Sequence, residues 1–182
     1  MPGLILWLLQ LVTALYLLAG LYLHLFHEPL TGKLVFDSLF IFCVVAHGLN
    51  GLWGIIDESL RGKWWRMPLH LFTDFIRNRQ TGQFMFILHR VTGLIILLFL
   101  TQHIVTNFLV SSYLSIEDSI IMEFFRNDVF AYIAVVSLGF HAFNGIRLIF
   151  IELTSLTLIQ RETAYLSLLS GAIFGMYYMN IF

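Results

Sequence analysis

Five long apolar stretches run through this chain of 182 residues, at 3–26, 34–57, 83–111, 129–152 and 164–182. Each approaches or exceeds the roughly 20 residues that carry a helix across a bilayer core about 30 Å thick. Inside lipid the backbone N–H and C=O groups must be satisfied within the segment, which a helix achieves. The expected fold class is therefore all-α, an integral membrane bundle of five transmembrane helices forming one domain over residues 1–182. Composition agrees with that reading. Charged residues make up 12% of the chain and hydrophobic ones 59%, whereas soluble domains carry about 25% charge. Little sequence remains for a soluble domain, so the chain offers no place for a flavin or an iron–sulfur cluster. The first stretch reads as a span and not as a cleaved signal. It lacks a basic leader and is longer than the usual apolar run of about 7–15 residues. The lone Cys43 excludes an intrachain disulfide and a thiolate metal cluster.

Charges in the connections set the expected orientation. Arg61, Lys63, Arg66, Arg77 and Arg79 lie around the second connection, and Arg90, Arg147 and Arg161 fall on the same side. The other side has Lys33 and Arg126 among the acids Glu28, Asp37, Glu117, Asp118, Glu123 and Asp128. Basic residues mark the inner side. This places the N-terminus inside and the C-terminus outside, in a bacterial or archaeal cytoplasmic membrane or a mitochondrial inner membrane. The 58–82 connection, with Trp64 and Trp65 among its basic residues, suits either lipid headgroups or a soluble partner.

Ionisable groups within a membrane are costly and mark functional sites. The chain has seven histidines, at 24, 27, 47, 70, 89, 103 and 141. Two lie in matching runs, "HGLNGLWGIIDE" from His47 and "HAFNGIRLIFIE" from His141. On the 1.5 Å helical rise these two share a depth, while His24 and His103 share a level roughly 10–15 Å further out. The result is two layers, each with one histidine from each of two helices, a standard arrangement for holding haem iron axially. Hydrogen bonding to a neighbouring helix is the plain alternative for any one of them. Gly51 and Gly145 follow their histidines by four residues and share their face. They would let a flat macrocycle approach, or serve ordinary helix packing. Glu58 and Glu152, eleven residues on, could meet a quinone or relay protons, or be solvated helix-end charges. Glu28 and Asp37 are the acids near the outer layer, with the same two readings. His89 precedes His103 by fourteen residues, about 21 Å along one helix, which assigns it to the inner boundary beside Arg90. Cations there, Arg147 included, could hold haem propionates. His27, one turn from His24, is its rival as outer ligand.

Several of these segments resemble the cytochrome b membrane anchors of succinate dehydrogenase and fumarate reductase, respiratory complex II. The resemblance is carried by "ILHRVTG" at 87–93, "HAFNGIR" at 141–147, "HGLNGLWGIIDE" at 47–58 and "TQHIVTNF" at 101–108. It implies a di-haem b cytochrome that anchors a flavoprotein subunit and an iron–sulfur subunit at the inner face. The FAD and iron–sulfur clusters would belong to those partners. Electrons would pass between them and a membrane quinone, with menaquinone favoured by similarity to the two-haem type. No residue of this chain would be catalytic towards the dicarboxylate. The helix order departs from the single-chain anchors, in which the helix similar to 83–111 comes first. Phe86 stands where the two-anchor type has a serine, and Glu58-Ser59 where it has Asp-Tyr. Two other readings stay open. One is the cytochrome b anchor of another respiratory oxidoreductase, such as a hydrogenase or formate dehydrogenase. The other is a non-redox transporter or assembly subunit with proton-relay histidines.

Overall fold

The structure, a computed structural model, describes residues 2–26, 34–61, 81–106, 128–154 and 159–181. Among the described residues are five helices: α1 (Pro2–Phe26), α2 (Leu34–Arg61), α3 (Thr81–Ile104), α4 (Asp128–Thr154) and α5 (Gln160–Ile181). Each expected span corresponds to one of them. Pro2 opens α1, a position where the missing N–H has no intrahelical partner to lose. Asp128 opens α4 and Glu162 lies in the first turn of α5, where negative charge meets the positive end of the helix dipole. Four helices, α1 to α4, are long and apolar enough to cross a membrane. α5 has 22 residues, about 33 Å by rise, and starts on the polar run Gln160-Arg161-Glu162.

Polar side chains are inside and large apolar ones outside. Thr13, Thr92, Ser137, Asn144, Arg147, Ser167 and Ser170 are buried, while Ile5, Leu98 and Val129 are about two-thirds exposed (68%, 65% and 66%). That is the pattern of helices dissolved in hydrocarbon. Lipid solvates leucine as well as a protein core does, so close packing and hydrogen bonds must hold the helices together.

The described helices form two compact units, residues 1–65 and 66–182. The first is an antiparallel hairpin of α1 and α2. Asn50 reaches Leu6, His47 reaches Thr13, and the Phe40 ring lies over Gly20. A Cβ on Gly20 would come within 2.6 Å of that ring, so glycine permits the approach. The second unit packs α3 and α5 against α4. Between α4 and α5 the contact is made by small residues. Ser167, Gly171 and Gly175 recur at four-residue spacing on α5, and Gly139 of α4 lies so close that an added Cβ would be 2.8 Å from Phe174 Cβ and 3.0 Å from the Ser170 carbonyl oxygen. The Ser170 hydroxyl donates to the Gly139 carbonyl at 3.1 Å. Gly139→Val is expected to destabilise this unit by about 1–3 kcal/mol through overpacking against a backbone that cannot retreat. Unfolding in detergent, compared with Ile133→Val on the exposed face of the same helix, measures the difference.

Candidate functional site

In the second unit the sequence brings two histidines face to face. His89 of α3 and His141 of α4 stack with ring centroids 3.8 Å apart and planes within 9°. The approach depends on Gly93, with Gly145 on the opposite helix in ordinary contact. His141 lies over Gly93, where a Cβ would be 2.9 Å from the ring, and His89 lies over Gly145, where it would be 3.5 Å away. Each histidine is followed four residues later by the glycine that receives the other, His89 by Gly93 and His141 by Gly145. The motif thus occurs in reciprocal form on antiparallel helices.

His141 has a defined orientation. Its Nδ1 lies 2.9 Å from the His89 carbonyl oxygen and 3.4 Å from Thr92 Oγ1. The carbonyl can only accept. The Thr92 hydroxyl proton is directed at its own helix, at 2.9 Å from the Leu88 carbonyl and 3.0 Å from that of His89. Nδ1 therefore carries the proton and donates, and Nε2 keeps its lone pair. Metal-binding histidines are held in this way, with one ring N–H on a carbonyl and the other nitrogen presented to the metal.

His47 lies in the first unit, on α2, against two polar residues of α1. Its Nδ1 is 3.2 Å from Thr13 Oγ1, and its Nε2 is 3.1 Å from the Gln10 amide nitrogen. Gln10 in turn accepts from Asn50 Nδ2 at 2.8 Å. Gly51 faces the Gln10 amide, 3.7 Å from an added Cβ. Sequence reasoning passed over Gln10 and Thr13, although the signal was visible. Within residues 3–23 they are the non-aromatic polar side chains of an otherwise apolar run, three residues apart and on one face.

A buried polar cluster lies one turn beyond His141. Asn144, fully buried, donates to the Met85 carbonyl at 3.4 Å and accepts from Arg147 Nη1 at 3.3 Å. Arg147 also donates from Nε to Thr163 Oγ1 at 3.1 Å and from Nη2 to the Gln160 carbonyl at 3.3 Å. The guanidinium thus ties α3, α4 and α5 together and has further N–H donors to offer. An ion pair, Arg161–Glu162, lies on the surface. Arg90 lies 3.9 Å above the Phe86 ring, a cation–π contact one turn apart on α3.

The other expected site residues are less informative. His103 is exposed near the end of α3 and stacks on Phe99 at 5.8 Å. Glu152 is exposed in the last turn of α4. The backbones of His24, Asp37 and Glu58 are helical, but their side chains lie outside the described residues, as do Glu28, His27 and the 62–80 part of the basic connection. No cluster of three or more metal-ligating side chains occurs among the described residues. A cleft of about 150 Å³ beside Thr92, lined by Leu88, Phe140 and Leu168, falls below the roughly 300 Å³ at which ligand pockets begin. The donor set is therefore one of single imidazoles, and His141, whose Nδ1 proton is held by the His89 carbonyl, fits axial haem ligation.

Half-buried histidines on long apolar helices, packed by glycine and threonine, define a helical integral membrane protein. Residues 69–178, well over half of the chain, match the family of succinate dehydrogenase/fumarate reductase transmembrane subunits. The chain belongs to that family. No match was found among curated proteins or among solved structures. The family match covers α3, α4 and almost all of α5; α1 and α2 precede it.

Proposed function

We propose that this chain is a di-haem cytochrome b anchor. It holds a flavoprotein subunit and an iron–sulfur subunit at the inner face of the membrane and carries electrons between them and a membrane quinone, with menaquinone favoured. The observation that carries the reading is the His141 Nδ1–H donated to the His89 carbonyl at 2.9 Å, because it leaves Nε2 as the ligating atom. His47 and His141 would hold one haem, and His24 and His103 the other. A bound haem b supplies reversible one-electron iron chemistry. The protein's part is to fix the imidazoles, to exclude water with apolar helices, and to place cations where propionates need them. Arg147, Arg90 and His89 are the candidates for that last task. Glu28, Asp37, Glu58 and Glu152 are the carboxylates available for proton exchange with a quinone. The whole chain would act as one membrane domain, with its N-terminus inside.

Purification of the chain from its native membrane tests this reading. The expected preparation contains a flavin-bearing and an iron–sulfur subunit, and its dithionite-reduced minus oxidised spectrum shows b-type bands equivalent to two haems per chain. A haem-free complex would overturn the redox role. A hydrogenase or formate dehydrogenase subunit in place of the flavoprotein would overturn the partner assignment.

A further inference from the structure

The polar pair on α1 belongs to a directional chain of hydrogen bonds that ends on His47. The Thr13 hydroxyl has a single proton, and it is committed to its own helix, 2.7 Å from the Leu9 carbonyl and 3.2 Å from that of Gln10. Towards His47, 3.2 Å away, Thr13 Oγ1 can then only accept. The proton of that contact comes from His47 Nδ1, which leaves the lone pair on Nε2. The partner on the other side agrees independently. Asn50 Nδ2 donates to the Leu6 carbonyl at 2.9 Å and to Gln10 Oε1 at 2.8 Å. With its oxygen held in this way, Gln10 presents its NH₂ group to His47 Nε2, 3.1 Å away, and an NH₂ group needs an acceptor. Both ends of the network specify the same tautomer.

Thr13 is 2% exposed, so water does not replace it as an acceptor. The arrangement repeats around His141. There Thr92, 7% exposed, also spends its proton on its own helix and turns its oxygen to an Nδ1. The difference is in strength. His141 has the His89 carbonyl at 2.9 Å in addition, with Thr92 a secondary acceptor at 3.4 Å.

We infer that α1, which lies outside the family match, is the positioning helix for His47. Thr13 fixes the imidazole as the Nδ1–H tautomer that binds iron through Nε2, and Gln10 is a competing donor on that same lone pair. The two residues therefore act with opposite sign. This inference rests on the proposal that His47 is a haem ligand. Loss of an outer-sphere partner of a metal-bound histidine costs about 10–100-fold in affinity. Without an acceptor for Nδ1–H the ring also loses basicity, which raises the haem midpoint potential.

The test uses the intact complex, with haem content, low-spin electron paramagnetic resonance and midpoint potential as readouts. Thr13→Val is nearly isosteric and removes the acceptor. It is expected to weaken retention of the haem on His47 by about 10–100-fold and to raise its potential. The second haem remains as the folding control. Thr13→Ser should restore the wild-type signature. Gln10→Leu should retain the haem at least as well as wild type, and Thr92→Val should change the spectrum less than Thr13→Val because the carbonyl remains. The inference is overturned if Thr13→Val keeps wild-type haem, spectrum and potential while His47→Ala loses a haem. Should Thr13→Val lose both haems, Thr13→Ser decides: a recovered spectrum supports the inference and an equally poor one overturns it. If His47→Ala itself keeps two full haems, the ligand assignment fails, and with it the inference.

Discussion

Replacing His141 with alanine is expected to remove one b-type haem from the purified complex and to leave the second in place. The effect should be close to all-or-none, because the iron would lose one of the two imidazole nitrogens proposed to hold it. Reduced-minus-oxidised spectra with haem quantitation would show one equivalent per chain in place of two. His47→Ala should give the same spectrum, since the two are proposed to share one iron. Two full low-spin equivalents in His141→Ala would end the assignment. The imidazole bound to the His89 carbonyl would then be a structural hydrogen bond between α3 and α4.

The second large effect concerns Arg147. Arg147→Leu is expected to destabilise the three-helix unit by roughly 3 kcal/mol. A buried charged donor contributes about 1.5–3 kcal/mol per hydrogen bond, and the fully buried Asn144 Oδ1 would lose its partner. Arg147→Lys should recover part of the loss, because an ammonium can reach one acceptor but cannot span Asn144, Thr163 and Gln160 as the planar fork does. Unfolding in detergent measures the stability, and haem content measured alongside separates two roles. Wild-type stability with haem lost would mean that the guanidinium serves the cofactor and not the helix junction.

Hydropathy made the helices legible, because a 20-residue apolar run has few alternatives once lipid is the solvent. The spacing of histidine and glycine within one helix was legible for the same reason, since a fixed rise needs no partner. Register between helices was not legible. Counting along α3 assigned His89 to the inner boundary, yet the structure sets its ring on His141, in the body of α4. The count took its reference from His103 on the same helix and carried no information on how α3 packs against α4. In the structure Gly82, in the first turn of α3, lies beside Gln160 at the start of α5, and Gln160 is bound by Arg147, so α4 continues for about two more turns to Thr154. Asn144 on the Met85 carbonyl and Gly93 under the His141 ring fix that offset. Both are contacts between residues about fifty or more positions apart in the chain. The glycines after His47 and His141 suited either clearance for a macrocycle or ordinary helix packing, and in the structure their faces meet the Gln10 amide and the His89 ring.

The two imidazoles proposed to share an iron differ in how exposed they are to genetic damage. The acceptor for His141 is a main-chain oxygen, and every amino acid has one. Any substitution at position 89 that preserves the helix leaves that acceptor in place, so the orientation of His141 is buffered against point mutation. The acceptor for His47 is a side-chain hydroxyl on another helix, which a single substitution to an apolar residue removes. As far as the orientation of the imidazole is concerned, substitution at position 89 should therefore be tolerated more readily than at Thr13. A saturation library scored for haem incorporation would display that asymmetry directly.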